Sequence, residues 1–202
     1  QVRAVDVRAQ NGQMHFTVQR RNGVTLPDMP IVLNLPGEHN VLNALAAIAV
    51  AVELGVDDTA VQRALAQFKG VGRRFQRYGE VKRQNQGGSF TLIDDYGHHP
   101  TEVKATLAAA KQGWDRRLVV LFQPHRYSRT RDCIGDFADA FANADMLFMT
   151  EIYPAGESPI PGVSGAALAE TIKSAGHPSV TFLERKETLP DQVLPHLRPG
   201  DL

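Results

Sequence analysis

Leu118-Val-Val-Leu-Phe122, a run of apolar residues, is followed by the loop Gln123-Pro-His-Arg-Tyr-Ser-Arg-Thr-Arg131, by Ile134, Phe137, Ala138 and Phe141 at helical spacing, and by a second apolar run, Met146-Leu-Phe-Met149. Short apolar runs bounded by polar loops fit strands buried in a sheet, and the spacing i, i+3, i+4, i+7 marks one face of a helix. Strand, helix and strand in that order call for a right-handed crossover between parallel strands. The pattern extends both ways. Phe90-Thr-Leu-Ile93 precedes it and Val180-Thr-Phe-Leu183 follows, with helical segments from Glu102 to Lys111, Ala166 to Ala175 and Lys186 to His196. The expected fold class is therefore α/β: a Rossmann-like, mostly parallel sheet with helices on both faces.

Towards the amino terminus the period changes. Val5 and Val7, then Met14, Phe16 and Val18 after an Asn11-Gly12 turn, then Ile31, Leu33 and Leu35, alternate at period two and predict antiparallel strands. From Pro36-Gly37 the period becomes helical, with Leu42, Leu45, Ala46, Ala49 and Val52 expected to face inward and Gly55 as the stop. A second helix is expected from Asp57 or Asp58 through Val61, Leu65 and Phe68. Lys69-Gly-Val-Gly-Arg-Arg74 combines two glycines with three cations and no apolar period, the composition of a hinge. The boundary is placed near residue 71, giving a strand-and-helix unit over 1–71 and the Rossmann-like unit over 72–202, whose last strand is expected to be truncated.

At 202 residues the chain holds one to two domains. Its 22 Lys and Arg balance 22 Asp and Glu, so the broad field that draws proteins to nucleic acid or anionic membrane is missing, and any anion must be bound locally. A hydrophobic fraction of 43% with 22% charged residues belongs to a folded soluble chain. The longest apolar stretch, Val41 to Val52, is interrupted by Asn43 and is too short to span a bilayer. One cysteine, Cys133, excludes an internal disulfide framework and suits a reducing compartment, with the cytoplasm as default. The sequence opens at Gln1 inside an alternating run and stops just after Arg198-Pro-Gly-Asp201, so both ends are expected to be cut from a longer chain.

In open parallel sheets ligands bind where strands end, so the loops after the strands share one edge. Three of these loops carry unusual chemistry: Asp94-Asp-Tyr-Gly-His-His-Pro100, Gln123 to Arg131, and Glu151-Ile-Tyr-Pro-Ala-Gly-Glu-Ser-Pro-Ile-Pro161. Three of the seven histidines, His98, His99 and His125, fall in the first two, beside two carboxylates and three arginines. Each feature has a plain structural reading. Asp94 and Asp95 could cap a helix or close a turn, His98 and His99 could be turn residues before Pro100, and the arginines could be solvated. Together on one sheet edge they point instead to a site in which Arg126 and Arg129 clamp a carboxylate or phosphate, since a guanidinium pairs bidentately with either. Asn40 and Asn43, three apart on the first turn of an apolar helix, read as caps or as carboxamides able to pair with an adenine edge. Arg73 and Arg74 at the glycine hinge are surface charges or a phosphate contact. There is no Gly-Lys dipeptide and hence no phosphate loop, and C-x-x-C, H-E-x-x-H and G-x-S-x-G are missing too.

The stretches Gly37-Glu-His-Asn-Val-Leu-Asn-Ala-Leu-Ala-Ala47, Gly72-Arg-Arg-Phe75, Asp94 to Glu102, Phe122 to Arg131 and Glu151 to Glu157 resemble the Mur ligases. The last three resemble the branch that couples L-alanine to UDP-N-acetylmuramate. The resemblance runs from about Leu33 to the end. It implies the end of a central ATPase domain followed by the carboxyl-terminal domain, with the family's phosphate loop and magnesium ligands upstream of Gln1 and the fragment inactive alone. It implies ATP and Mg2+ as cofactors, L-alanine and UDP-N-acetylmuramate as substrates, and amide-bond synthesis through an acyl phosphate. His39, Asn40, Asn43, Arg74 and Asp95 would then line the ATP site, and Tyr96, His98, His99, His125, Arg126 and Arg129 the alanine pocket. Asp95, His98 and Arg74 would be catalytic, no metal ligand falls in this fragment, and the glycine hinge implies closure over the substrates. Alanine's ammonium must lose a proton before attack, and His98 or His99 is the candidate base. Two other readings stay open: a metal-dependent phosphohydrolase using Asp94, Asp95, His98 and His99, and a non-catalytic Rossmann-like module for a small anion or nucleotide.

Overall fold

The computed structural model describes residues 1–22, 24–83 and 87–202. It has two compact units, one of Gln1–Phe75 with Ala108–Asp115 and the other of Gln76–Leu107 with Arg116–Leu202. The glycine-rich connector is irregular, with Gly70, Arg73 and Phe75 all at positive φ. Phe75 belongs to the first unit because its ring is buried and stacks on Trp114 at 5.7 Å.

In the first unit, strands β1 (Val2–Gln10), β2 (Gln13–Asn22) and β4 (Met29–Leu33) form an antiparallel sheet with β2 in the middle, and the short β3 (Val24–Thr25) pairs with the end of β2. The period-two reading holds: Met14, Phe16, Val18, Ile31 and Leu33 all lie in the core, with Phe16 opposite Ile31. Helices α1 (Glu38–Glu53) and α2 (Asp58–Gln67) pack on this sheet. Asp57 caps α2 by accepting from the Thr59 amide at 2.9 Å. Arg20, 5% exposed at the end of β2, ties the sheet to α2 through two bonds to Asp58 of 2.5 and 2.6 Å.

The inward face of α1 differs from expectation. Val41, Ala44 and Ile48 are buried, whereas Leu42 is 67% exposed and Ala46 and Ala49 also face outward. The helix is apolar on nearly every side, so periodicity marks a helix there without choosing its face.

In the second unit, β7 (Val119–Phe122), β8 (Met146–Thr150) and β9 (Val180–Leu183) form a parallel sheet in that order. The connection from β7 to β8 carries α4 (Tyr127–Asp132) and α5 (Ile134–Phe137), and that from β8 to β9 carries α6 (Gly165–Ser174). The α/β class is as expected, but Phe90–Ile93 is not a member of the parallel ladder. It lies in β6 (Ser89–Asp94), which pairs antiparallel with β5 (Gln76–Lys82) and leads into α3 (Pro100–Gly113).

Residues 200–202 join these ladders. Gly200 donates to Ser89 O and Asp201 O accepts from Thr91, while Leu202 bonds to Arg117 O and accepts from Val119 N, so residues 200–202 lie between β6 and β7.

Two helices are shorter than their spacing predicts. After Phe137 the amides bond three residues back, Ala140 to Phe137 and Ala142 to Asp139, so the segment tightens into successive turns. Phe137 and Phe141 are still buried side by side. Between Lys186 and His196 only α7 (Leu189–Val193) is α-helical, flanked by 3-10 turns, because Pro190 and Pro195 each remove an amide donor.

Candidate functional site

The site forms in the second unit, where β6, β7 and β8 end. Beyond β6, Asp95 turns back on itself: its Oδ1 accepts from the Gly97 amide at 2.7 Å. The chain then enters α3 through a cap built by Glu102, whose Oε2 accepts from the His98 and His99 amides at 3.3 and 3.2 Å. His99 and Glu102 stand three apart around Pro100, the spacing of a reciprocal cap.

The two adjacent histidines have different roles. His99 Nδ1 accepts from the Thr101 amide at 3.3 Å, and its Nε2 is 3.9 Å from Cys133 Sγ. Its Nδ1 is thereby engaged at the start of α3. His98 Nδ1 lies 2.8 Å from Tyr96 O, so in the neutral ring Nδ1 carries the proton and Nε2 keeps its lone pair.

Beyond β7, the chain is held by the loop beyond β8. Tyr153 N donates to Pro124 O at 2.8 Å, Arg126 N donates to Tyr153 O at 2.9 Å, and His125 and Tyr153 form a parallel bridge. Arg126, at φ 74, turns the chain into α4. Arg129 reaches back to His125 O at 3.2 Å. The result is a ring cluster: Tyr96 on His98 at 5.1 Å, His98 on His125 at 5.3 Å, and His125 on Tyr153 at 5.4 Å. Tyr96 and Tyr153 are both about half exposed, so the cluster opens to solvent.

Burial pushes the His125 imidazole below its ordinary 6.5, helped by the charges of His98, Arg129 and Arg126 and opposed by Glu157. Since the folded value is the lower one, the contribution of His125 to stability is complete above pH 6.5 and is lost as the pH falls through the folded value. Proton NMR on the folded chain is expected to show His125 titrating below 6.5, and Arg129→Ala to move it upward. Titration at or above 6.5 would remove the electrostatic coupling.

The structure thus brings together Tyr96, His98, His125, Arg126 and Arg129. It does not bring Asp94, Asp95, His98 and His99 around a common point, and among the described residues no three His, Cys, Asp or Glu are gathered to hold a metal ion. The phosphohydrolase reading loses its ligand set.

His39, Asn40, Asn43 and Arg74 lie in the first unit. Asn40 Nδ2 donates to Pro36 O at 2.7 Å, whereas Asn43 is exposed and its Nδ2 meets Asn40 Oδ1 only at 3.5 Å. No buried carboxamide needs rescue, and Asn43 presents its amide outward. The His39 ring folds over Gly37, where a Cβ would come within 2.8 Å of it. Arg74 is exposed in the connector. A groove of about 820 Å³ elsewhere in this unit, beside Arg8, His15 and Arg63, includes none of these residues.

Sequence reasoning missed Tyr153, Glu157 and Glu102. The cap spacing could have given Glu102. Tyr153 and Glu157 act only across loops, where no local spacing shows them.

The second unit is thus an α/β domain whose parallel strands end in a cluster of rings and guanidinium groups, the edge at which such sheets carry their sites. The chain belongs to the Mur ligase family: residues 73–202 match the family model described as Mur ligase, glutamate ligase domain. The UDP-N-acetylmuramate-L-alanine ligase of Variovorax paradoxus is 61% identical over 204 residues, covering 100% of this chain and 42% of its own length. That of Cupriavidus necator is 56% identical over 204 residues, covering 100% and 43%. The solved UDP-N-acetylmuramate-alanine ligase of Thermotoga maritima matches with a TM-score of 0.76 at 31% identity, over 98% of this chain and 40% of that one. The chain therefore spans less than half the length of these relatives.

Proposed function

We propose that this chain is part of a cytoplasmic, ATP-dependent ligase that joins L-alanine to UDP-N-acetylmuramate in peptidoglycan precursor synthesis. Residues 1–71 would end its ATP-binding domain and 72–202 form its carboxyl-terminal domain. The observation that carries the reading is the convergence of Tyr96, His98, His125, Arg126 and Arg129 at the strand ends. The relatives named above support the choice of substrates, and no helix among the described residues is long and apolar enough to cross a membrane.

Alanine is a small zwitterion. Arg126 and Arg129 would receive its carboxylate through charge-assisted bonds. His125, shifted toward its neutral form, would line the pocket without adding full charge. The ammonium must lose a proton to become a nucleophile, and His98 Nε2 is the lone pair the cluster offers, its Nδ1 being committed to Tyr96 O. The Tyr96 and Tyr153 rings would limit side-chain volume.

In the first unit the outward carboxamide of Asn43, beside Asn40 and His39, fits an adenine edge, and Arg74 would meet phosphate oxygens. ATP would supply the phosphoryl group that activates the lactyl carboxylate of UDP-N-acetylmuramate. We assign no magnesium ligand to the described residues of this chain.

The test is ADP release by the intact ligase containing residues 1–202. Release is expected to require L-alanine and UDP-N-acetylmuramate together, and residues 1–202 by themselves are expected to release none. Turnover that ignores alanine would sink the proposal.

A further inference from the structure

We infer that Glu157 is a positioning residue for the amino-acid clamp: by holding Ser128 from the neighbouring loop it fixes the first turn of α4, and with it the bearing of Arg126 and Arg129 on the substrate carboxylate. The inference rests on the reading above and adds to it a residue that touches no substrate.

The need for such a residue follows from the backbone. Arg126 occupies the left-handed region, which side chains other than glycine rarely adopt, and it stands at the start of α4 with no side-chain cap of its own. Glu157 supplies the missing acceptor from across the sheet edge. Its Oε2 accepts from the Ser128 amide at 2.9 Å and its Oε1 from the Ser128 hydroxyl at 2.6 Å. Two bonds to one residue fix direction as well as distance, which a single cap does not. Arg126 is also held from behind by Tyr153 O, and its own carbonyl accepts from the Thr130 amide and hydroxyl at 3.1 and 2.9 Å.

Both Glu157 oxygens are thus engaged by donors on Ser128. Those bonds, together with the nearby Arg126 charge, hold the carboxyl below the usual carboxylate range, so it stays ionised. A carboxylate turned to a helix amide keeps its charge beside the clamp without occupying the place of the substrate's own carboxylate.

A cap that served only stability would raise no particular Michaelis constant, so the test is kinetic and uses the intact ligase. Glu157→Gln keeps the shape but removes the charge and leaves one acceptor atom, so the Ser128 hydroxyl must turn from donor to acceptor. It is expected to raise the KM for L-alanine about tenfold, with the KM for ATP and the kcat at saturating alanine within about twofold. In an Arg126→Ala background the same change is expected to add less than about twofold, since the group it positions is gone. Ser128→Ala, which removes only the hydroxyl donor, is expected to give a smaller rise in the same constant, and it carries the test should Glu157→Gln not fold. Multiplicative losses in the double variant, or equal rises for alanine and ATP, overturn the positioning role. If Arg126→Ala alone leaves alanine unaffected, the amino-acid reading of the site falls, and the role of Glu157 with it. A normal response to Arg126→Ala with a silent Glu157→Gln removes Glu157 only.

Discussion

Arg126→Ala in the intact ligase is expected to raise the KM for L-alanine by about 10- to 100-fold while leaving the KM for ATP within about twofold. The magnitude is that of a hydrogen bond to a charged group, about 1.5 to 3 kcal/mol, with each 1.4 kcal/mol worth about tenfold. The effect should exceed that of a surface arginine because Arg126 is fixed from several sides: its amide bonds Tyr153 O, its carbonyl receives Thr130, and the turn it begins is capped by Glu157. A side chain on so defined a backbone gives up little freedom when it binds. Arg129, anchored on His125 O, cannot replace it, because one guanidinium cannot reproduce a two-sided clamp. Steady-state kinetics with alanine and ATP varied in turn checks the prediction. Equal rises in both constants would falsify the assignment of Arg126 to the amino acid.

Gly165→Ala is expected to lower the stability of the second unit by about 3 kcal/mol, and the thermal midpoint by about 6 to 12 °C. A Cβ at Gly165 would lie 2.2 Å from Thr150 O and 3.0 Å from Glu151 Cα, which are backbone atoms of β8 and its exit and cannot rotate away. To accommodate it, the start of α6 must move off the end of the strand. The Gly165 amide also donates to Glu151 Oε1 at 2.8 Å, and that oxygen receives the Ile152 amide as well. The displacement would therefore loosen the loop that carries Tyr153 and Glu157. Differential scanning calorimetry on residues 1–202 reads the loss. An unchanged midpoint would mean that the helix and strand can separate at no cost.

The sheet edge was legible because its signals are local. Apolar runs such as Met146-Leu-Phe-Met149 can only be buried, and a parallel arrangement puts the loops after them on one side. That is enough to bring His125 near Tyr153 across 28 positions of sequence. What stayed hidden depends on contacts that no spacing encodes. The face of α1 could not be chosen, since Leu42 and Val41 are equally apolar and only packing against the antiparallel sheet buries the second. Phe90–Ile93 has the composition of a parallel strand, yet its pairing with β5 is antiparallel. His98 and His99 are alike in type and neighbourhood, and they separate only when hydrogen bonds show that one ring caps a helix while the other keeps an open nitrogen. Glu157 was visible as part of a motif, but its partner Ser128 is 29 residues away.

Residues 200–202, seated between β6 and β7, bear on how the chain is made as well as on how it stands. Gly200 and Asp201 bond to Ser89 and Thr91, over a hundred positions earlier, and Leu202 bonds to Arg117 and Val119. A ribosome adds residues at roughly 5 to 20 per second, so on the order of ten seconds separates synthesis of β6 from the arrival of the segment that covers it. During that interval the facing edges of β6 and β7 offer unpaired amides and carbonyls to any neighbouring nascent chain. The native sheet closes late by topology, and the hazard it carries is edge-to-edge association before residues 200–202 have emerged.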